Sequence, residues 1–156
     1  KLVHSPRERV LLVLGFPDIY RAGDAAPEIL RFGPIAIEGL DERIIGGLRE
    51  RGLKLGDIQR LPAGKAWVMI EFGADTQDAA AEQARALMRH YEGRTDAPST
   101  WLITAPAEQE SIWNIRETGA SATTLALAAG GPDPTIGWED AAVDPLLLKR
   151  ALVYAV

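Results

Sequence analysis

No cysteine occurs in the 156 residues, which excludes disulfides, thiolate metal ligands and cysteine nucleophiles. That absence fits a reducing compartment, and the cytoplasm is the expected location. Histidine is nearly as scarce: His4 and His90 are the only two, with no metal-ligand spacing between them. Positive charge is in deficit, 17 basic against 22 acidic residues for a net charge of −5. With no basic cluster and no interleaved aromatic platform, binding to nucleic acid is not expected. Long apolar runs are missing too. Nothing approaches the roughly 20 residues of a membrane helix, so no transmembrane segment is expected, and no signal-peptide pattern precedes the first strand. No Gly-x-Ser-x-Gly, phosphate loop or Gly-x-Gly-x-x-Gly is present, and Ser111, Ser121, Thr123 and Thr124 have no base near them in the sequence.

What is present is enough for one domain. The chain is 47% hydrophobic, so a single core of ordinary size is expected. It starts at Lys1 rather than methionine and stops in the apolar run 151–156, from which we expect a piece of a longer protein.

Residues 9–16 form a run of valine and leucine closed by Gly15-Phe16-Pro17-Asp18, which reads as a buried strand. Asp18 is placed to cap a helix ending at Gly33-Pro34, with Pro27 predicted to kink it. A short strand over 34–38 and a short amphipathic helix over 41–50 follow, then a turn-rich connector over 52–64. The order then repeats. Residues 66–72 are a strand, Asp75 and Asp78 bracket the start of a helix with Ala80, Ala84, Leu87, Met88 and Tyr91 on its apolar stripe, and 100–104 is a fourth strand. Pro106 opens a last helix that Gly119 is predicted to end. The first half with its connector is 1–64, the second half 65–119, and a loop with a terminal segment covers 120–156. Two strand–helix–strand halves predict an α+β, ferredoxin-like fold: duplicated βαβ units, a largely antiparallel sheet and helices packed on one face.

The chemistry the residues offer is ionic. In the helix from Pro106, Arg116 shares a face with Gln109, Ile112 and Trp113, so a cation stands where apolar side chains are expected. Its partner is either a protein carboxylate such as Glu139 or Asp140, or the carboxylate of a substrate. A purely structural role is also open, since a cation near a helix C-terminus complements the dipole and stacks on Trp113. Glu139 and Asp140 are adjacent and in a strand would point to opposite faces, so a structural ion pair or a turn cap fits them better than direct chemistry. Trp67, Trp101 and Trp138 read as core or rim aromatics. His90, on the last turn of the second main helix, reads as a solvated residue.

Four segments carry a resemblance. Val10-Leu11-Leu12-Val13-Leu14-Gly15-Phe16-Pro17-Asp18, Trp67-Val68-Met69-Ile70-Glu71-Phe72-Gly73, Trp113-Asn114-Ile115-Arg116-Glu117 and Gly137-Trp138-Glu139-Asp140-Ala141-Ala142-Val143 resemble, in order and spacing, the C-terminal cap domain of FAD-linked oxidases of the vanillyl-alcohol oxidase type. These include the flavoprotein component of glycolate oxidase and D-2-hydroxyacid dehydrogenases, and the likeness is closest to large bacterial members, some with a further iron–sulfur region. The resemblance implies that the domain folds over an FAD held mainly by an N-terminal FAD-binding domain of the same protein. It further implies that Arg116 binds the carboxylate of a small acid substrate and that the whole enzyme oxidises an α-hydroxy acid. The parent enzyme would be cytoplasmic or peripheral to the membrane.

The family's glycine-rich flavin-binding region and its histidine-rich segment are missing, so this chain alone is expected to be inactive, with no catalytic residue, no cofactor-binding residue and no metal site of its own. Some hydroxyacid dehydrogenases carry a threonine four residues after the arginine and a later lysine. Here Ala120 holds the first position and no lysine lies between Lys65 and Lys149, so the carry-over is confined to Arg116. The alternative reading is a stand-alone ferredoxin-like module that binds small acids or a protein partner.

Overall fold

The computed structural model describes residues 5–124, with side chains through Gly119. The order is β1 (Glu8–Phe16), α1 (Ile19–Leu30), β2 (Ala36–Asp41), α2 (Glu42–Glu50), α3 (Leu55–Ile58), β3 (Ala66–Ala74), α4 (Gln77–Tyr91), β4 (Ser99–Ile103) and α5 (Pro106–Thr124). The sheet runs β2-β3-β1-β4 and every neighbouring pair is antiparallel. β2 is therefore parallel to β1 with β3 between them, and β4 is parallel to β3 with β1 between them. This is the ferredoxin-like arrangement of two interleaved βαβ units.

The two central strands are apolar at almost every position because both faces of the sheet are covered. On one face Val10, Leu12, Leu14 and Phe16 meet Val68, Ile70 and Phe72 beneath α1 and α4, whose Ala25, Ile29, Ala84 and Leu87 close the layer. These are the two crossover helices, and they share a face as the duplicated units require. The opposite face is covered as well. Leu11, Val13, Trp67 and Met69 pack under α2, α3 and α5 through Ile45, Leu48, Ile58, Ile112 and Ile115. Each fully buried leucine or isoleucine contributes about 1.5–3 kcal/mol relative to exposure.

Local signals set the helix starts. The Asp18 carboxylate accepts from Arg21 N at 2.8 Å, and α1 runs unbroken through Pro27. Asp41 closes β2 and caps α2 by accepting from Ile44 N at 3.0 Å. The cap of α4 is Thr76, accepting from Ala79 N at 3.3 Å, in place of the expected aspartates. β2 is displaced from the expected 34–38, because Gly39, Leu40 and Asp41 continue the ladder opposite Val68, Trp67 and Ala66. The connector holds the one-turn helix α3, which delivers Ile58 to the core.

Gly119 does not end α5, which continues to Thr124. Its missing side chain is needed for helix contact: a Cβ there would collide with Ile44 Cγ2 of α2. Glu139 and Asp140, with the rest of 125–156, lie outside the described residues. Among the described residues no helix is long and apolar enough to cross a membrane, and no group of three or more His, Cys, Asp or Glu could hold a metal ion.

Candidate functional site

α5 is anchored across one end of the sheet. Gln109 Nε2 donates to the carbonyls of Arg9, 3.0 Å away, and Thr104, 2.9 Å away, fastening the first turns of the helix to the start of β1 and the exit of β4. Arg60 pairs with Glu108 and lies over the Trp101 ring at 4.9 Å. Ser111 donates to Asp57 Oδ1 at 2.8 Å, so the serine is bound to a carboxylate of α3. The buried side of α5 is the line of Ile112, Ile115 and Gly119. Arg116 stands beside that line and not within it, its side chain 46% exposed, which corrects its expected place on the apolar stripe. A helix turns 100° per residue, so the position after Ile115 is carried off the contact line toward solvent.

Between α5 and the sheet lies a groove of about 470 Å³. Arg9, Leu11 and Glu71 form its sheet wall, while Gln109, Trp113 and Glu117 are on the helix wall with Glu110 and Asn114. β1 and β3 place the sheet residues by register, since Leu11 is paired with Glu71 and Arg9 precedes Leu11 on the same face. Arg9 Nη1 donates to both Glu71 oxygens at 3.2 and 3.1 Å, and its Nη2 donates to Ser5 Oγ at 3.0 Å. Arg116 is directed across the sheet to the edge strand, where its Nε lies 3.4 Å from Glu38 Oε2. Glu38 is thus the carboxylate partner of Arg116 among the described residues. The motif segment around Arg116 therefore splits: Trp113, Asn114 and Glu117 line the groove, and Arg116 faces β2.

A second cleft, of about 390 Å³, lies on the other face between α1 and the turn after α4. Ion pairs lie along its lining. Arg94 sends Nη1 to Glu28 Oε2 at 3.0 Å and grips Asp96 through Nε and Nη2, both at 3.0 Å. Burial acts to raise the Glu28 carboxyl, but hydrogen bonds from Arg94 and His90 outweigh it and hold the group below its ordinary value. The Arg94 hydrogen bonds hold Asp96 low in the same way. Burial, aided by the nearby Glu28 carboxylate, pushes the Tyr91 hydroxyl up to about 12, so it stays neutral near pH 7. His90 joins α4 to α1, 3.3 Å from Glu28 and with its ring centroid 5.4 Å from that of Phe32.

Neither cleft suits a dinucleotide. The groove under α5 presents Glu71, Glu110 and Glu117 against the single guanidinium of Arg9, and that excess of carboxylates repels a pyrophosphate. The second cleft is lined by Asp18, Asp24, Glu28 and Asp96 against Arg21 and Arg94. Neither of these two clefts thus fits the pyrophosphate of FAD.

Glu38, Arg9 and Glu71 were not among the residues singled out from the sequence. Alternation in β2 puts Ala36, Glu38 and Leu40 on one face, a signal lost when the strand is ended at Glu38. Residues 5–153 match the family described as FAD linked oxidases, C-terminal domain. No curated protein matches the chain.

Proposed function

The chain belongs to the family of FAD-linked oxidase C-terminal domains, and from that premise we propose that it is the substrate-binding cap of an FAD-dependent oxidoreductase acting on an α-hydroxy acid. Arg116 is the proposed receptor for the substrate carboxylate. The observation that supports it most is the placement of Arg116: a side chain 46% exposed, on the helix whose Trp113 lines the groove, and among the described residues paired with Glu38 at no less than 3.4 Å.

In this reading the flavin is bound by an N-terminal domain of the same protein, in keeping with the acidic groove found here. Oxidation belongs to that cofactor, and the cap contributes orientation and charge. The planar guanidinium fixes the carboxylate by two parallel hydrogen bonds. In this reading the acid and base of the reaction lie outside this domain, which is not expected to turn over by itself.

The test is Arg116→Ala in the flavin-loaded enzyme carrying this domain. KM for the α-hydroxy acid should rise by about 10- to 100-fold, the worth of charge-assisted hydrogen bonds, with flavin content unchanged. Arg116→Lys should recover part of the affinity, since it keeps the charge and loses the fork. An unchanged KM in the alanine variant would reduce Arg116 to a structural residue.

A further inference from the structure

The inference rests on the reading of Arg116 as a carboxylate receptor: we propose that Glu38 is a built-in competitor for that receptor, so that a carboxylate ligand binds by displacing a carboxylate of the protein. The register of the edge strand carries the argument. Ala36 is opposite Glu71 and Glu38 is opposite Met69, so Glu38 and Glu71 are diagonal neighbours on the face that α5 covers. Two like charges at that spacing repel, and each is held by an arginine of its own, Glu71 by Arg9 and Glu38 by Arg116.

The two pairs are not alike. Arg9 Nη1 engages both oxygens of Glu71, at 3.2 and 3.1 Å. Arg116 meets Glu38 through Nε at 3.4 Å, longer than the roughly 2.7–2.9 Å of a charge-assisted hydrogen bond. With the side chains 46% and 34% exposed, water screens the attraction, and the pair contributes little to stability.

A long, water-screened pair exchanges readily for a two-contact one. A free carboxylate can approach the guanidinium in its plane and accept two parallel bonds, a geometry that Glu38 does not achieve from the strand. Glu38 must give way first, and its charge remains close by. The displaced carboxylate thus lowers the affinity for every acid and favours those that bind in the bidentate mode. Glu38 is in this sense a specificity-determining residue that acts through Arg116.

The test uses sodium glycolate as the probe and the Nε–Hε NMR signal of Arg116 in the 156-residue chain as the readout, at constant ionic strength. Glu38→Gln should tighten the glycolate Kd about two- to fivefold, the range expected for release of one exposed ion pair. Glu38→Ala should shift it in the same direction, so the result does not depend on how one replacement packs. Glu42→Gln removes the same charge from an exposed pair with Arg49 on α2 and should leave Kd unchanged. An equal Kd in wild type and both Glu38 variants, or equal tightening in Glu42→Gln, would overturn the competitor role and leave the receptor standing. A failure of glycolate to move the Arg116 signal in wild type and in both Glu38 variants would overturn the receptor reading itself.

Discussion

Gly119 shows how one missing side chain can set the position of a functional helix. Alone in a helix interior, glycine costs about 1 kcal/mol relative to alanine, so Gly119→Ala should stabilise α5 by that amount if space allowed. Space does not allow it, because the new Cβ would overlap Ile44 Cγ2. Forcing two packed helices apart costs about 1–3 kcal/mol, which exceeds the gain in propensity. Gly119→Ala is therefore expected to lower stability by about 1 kcal/mol in urea denaturation. In an Ile44→Ala background, where Cγ2 is gone, the same change should turn stabilising. A stabilising effect in the wild-type background would show that α2 and α5 are free to separate. The same residue explains a sequence reading that failed. Glycine after a helical pattern is a common stop signal, and only the contact with α2 reveals that here it permits close approach. Arg116 was expected on the apolar stripe and stands beside it instead, and its partner was not legible either, because Glu38 is 78 positions away and joined only through sheet register.

At the scale of elements, α1 and α4 are fastened at one end by Glu28, Arg94 and Asp96, with Arg94 also 5.0 Å over the Tyr91 ring. The arginine hydrogen bonds hold both carboxyls below their ordinary values, against the burial that works to raise Glu28. A carboxyl whose folded-state pKa is lowered contributes stability above its unfolded pKa and loses it as pH falls through the folded one. The clamp should therefore be intact near neutrality and weaken below the ordinary carboxyl values of 4.5 for Glu28 and 3.8 for Asp96. Arg94→Met is expected to lower stability most near pH 7, modestly because the pairs are partly exposed, and to move the acid midpoint of unfolding to higher pH, with the difference from wild type vanishing in stronger acid, all read by circular dichroism. An unchanged acid midpoint would show the clamp to be passive. Helices such as α4 were readable from the spacing of Ala80, Ala84, Leu87 and Tyr91, because amphipathic periodicity is a local property. The clamp that joins α4 to α1 was not, since it depends on residues more than 60 positions apart.

For the whole molecule, the two covered faces of the sheet carry different duties. Under α1 and α4 the layer is an apolar core with ion pairs at its end, whereas under α5 the core gives way to the groove lined by the Arg9–Glu71 pair, with the Arg116–Glu38 pair beside it toward the edge strand. A cap that lies over a flavin should turn the second face inward and leave the first toward solvent. Two aromatic residues report on this, Trp113 on the groove wall and Tyr20 on α1, 65% exposed. Hydroxyl-radical footprinting of the flavin-loaded enzyme is expected to show Trp113 protected relative to the 156-residue chain and Tyr20 labelled equally in both. The reverse pattern would place the α1–α4 face against the flavin domain and remove Arg116 from the substrate. Protection of both residues would mean that the flavin domain wraps the cap on two sides, and the groove would then have to be reached along the sheet edge formed by β2, where Glu38 stands.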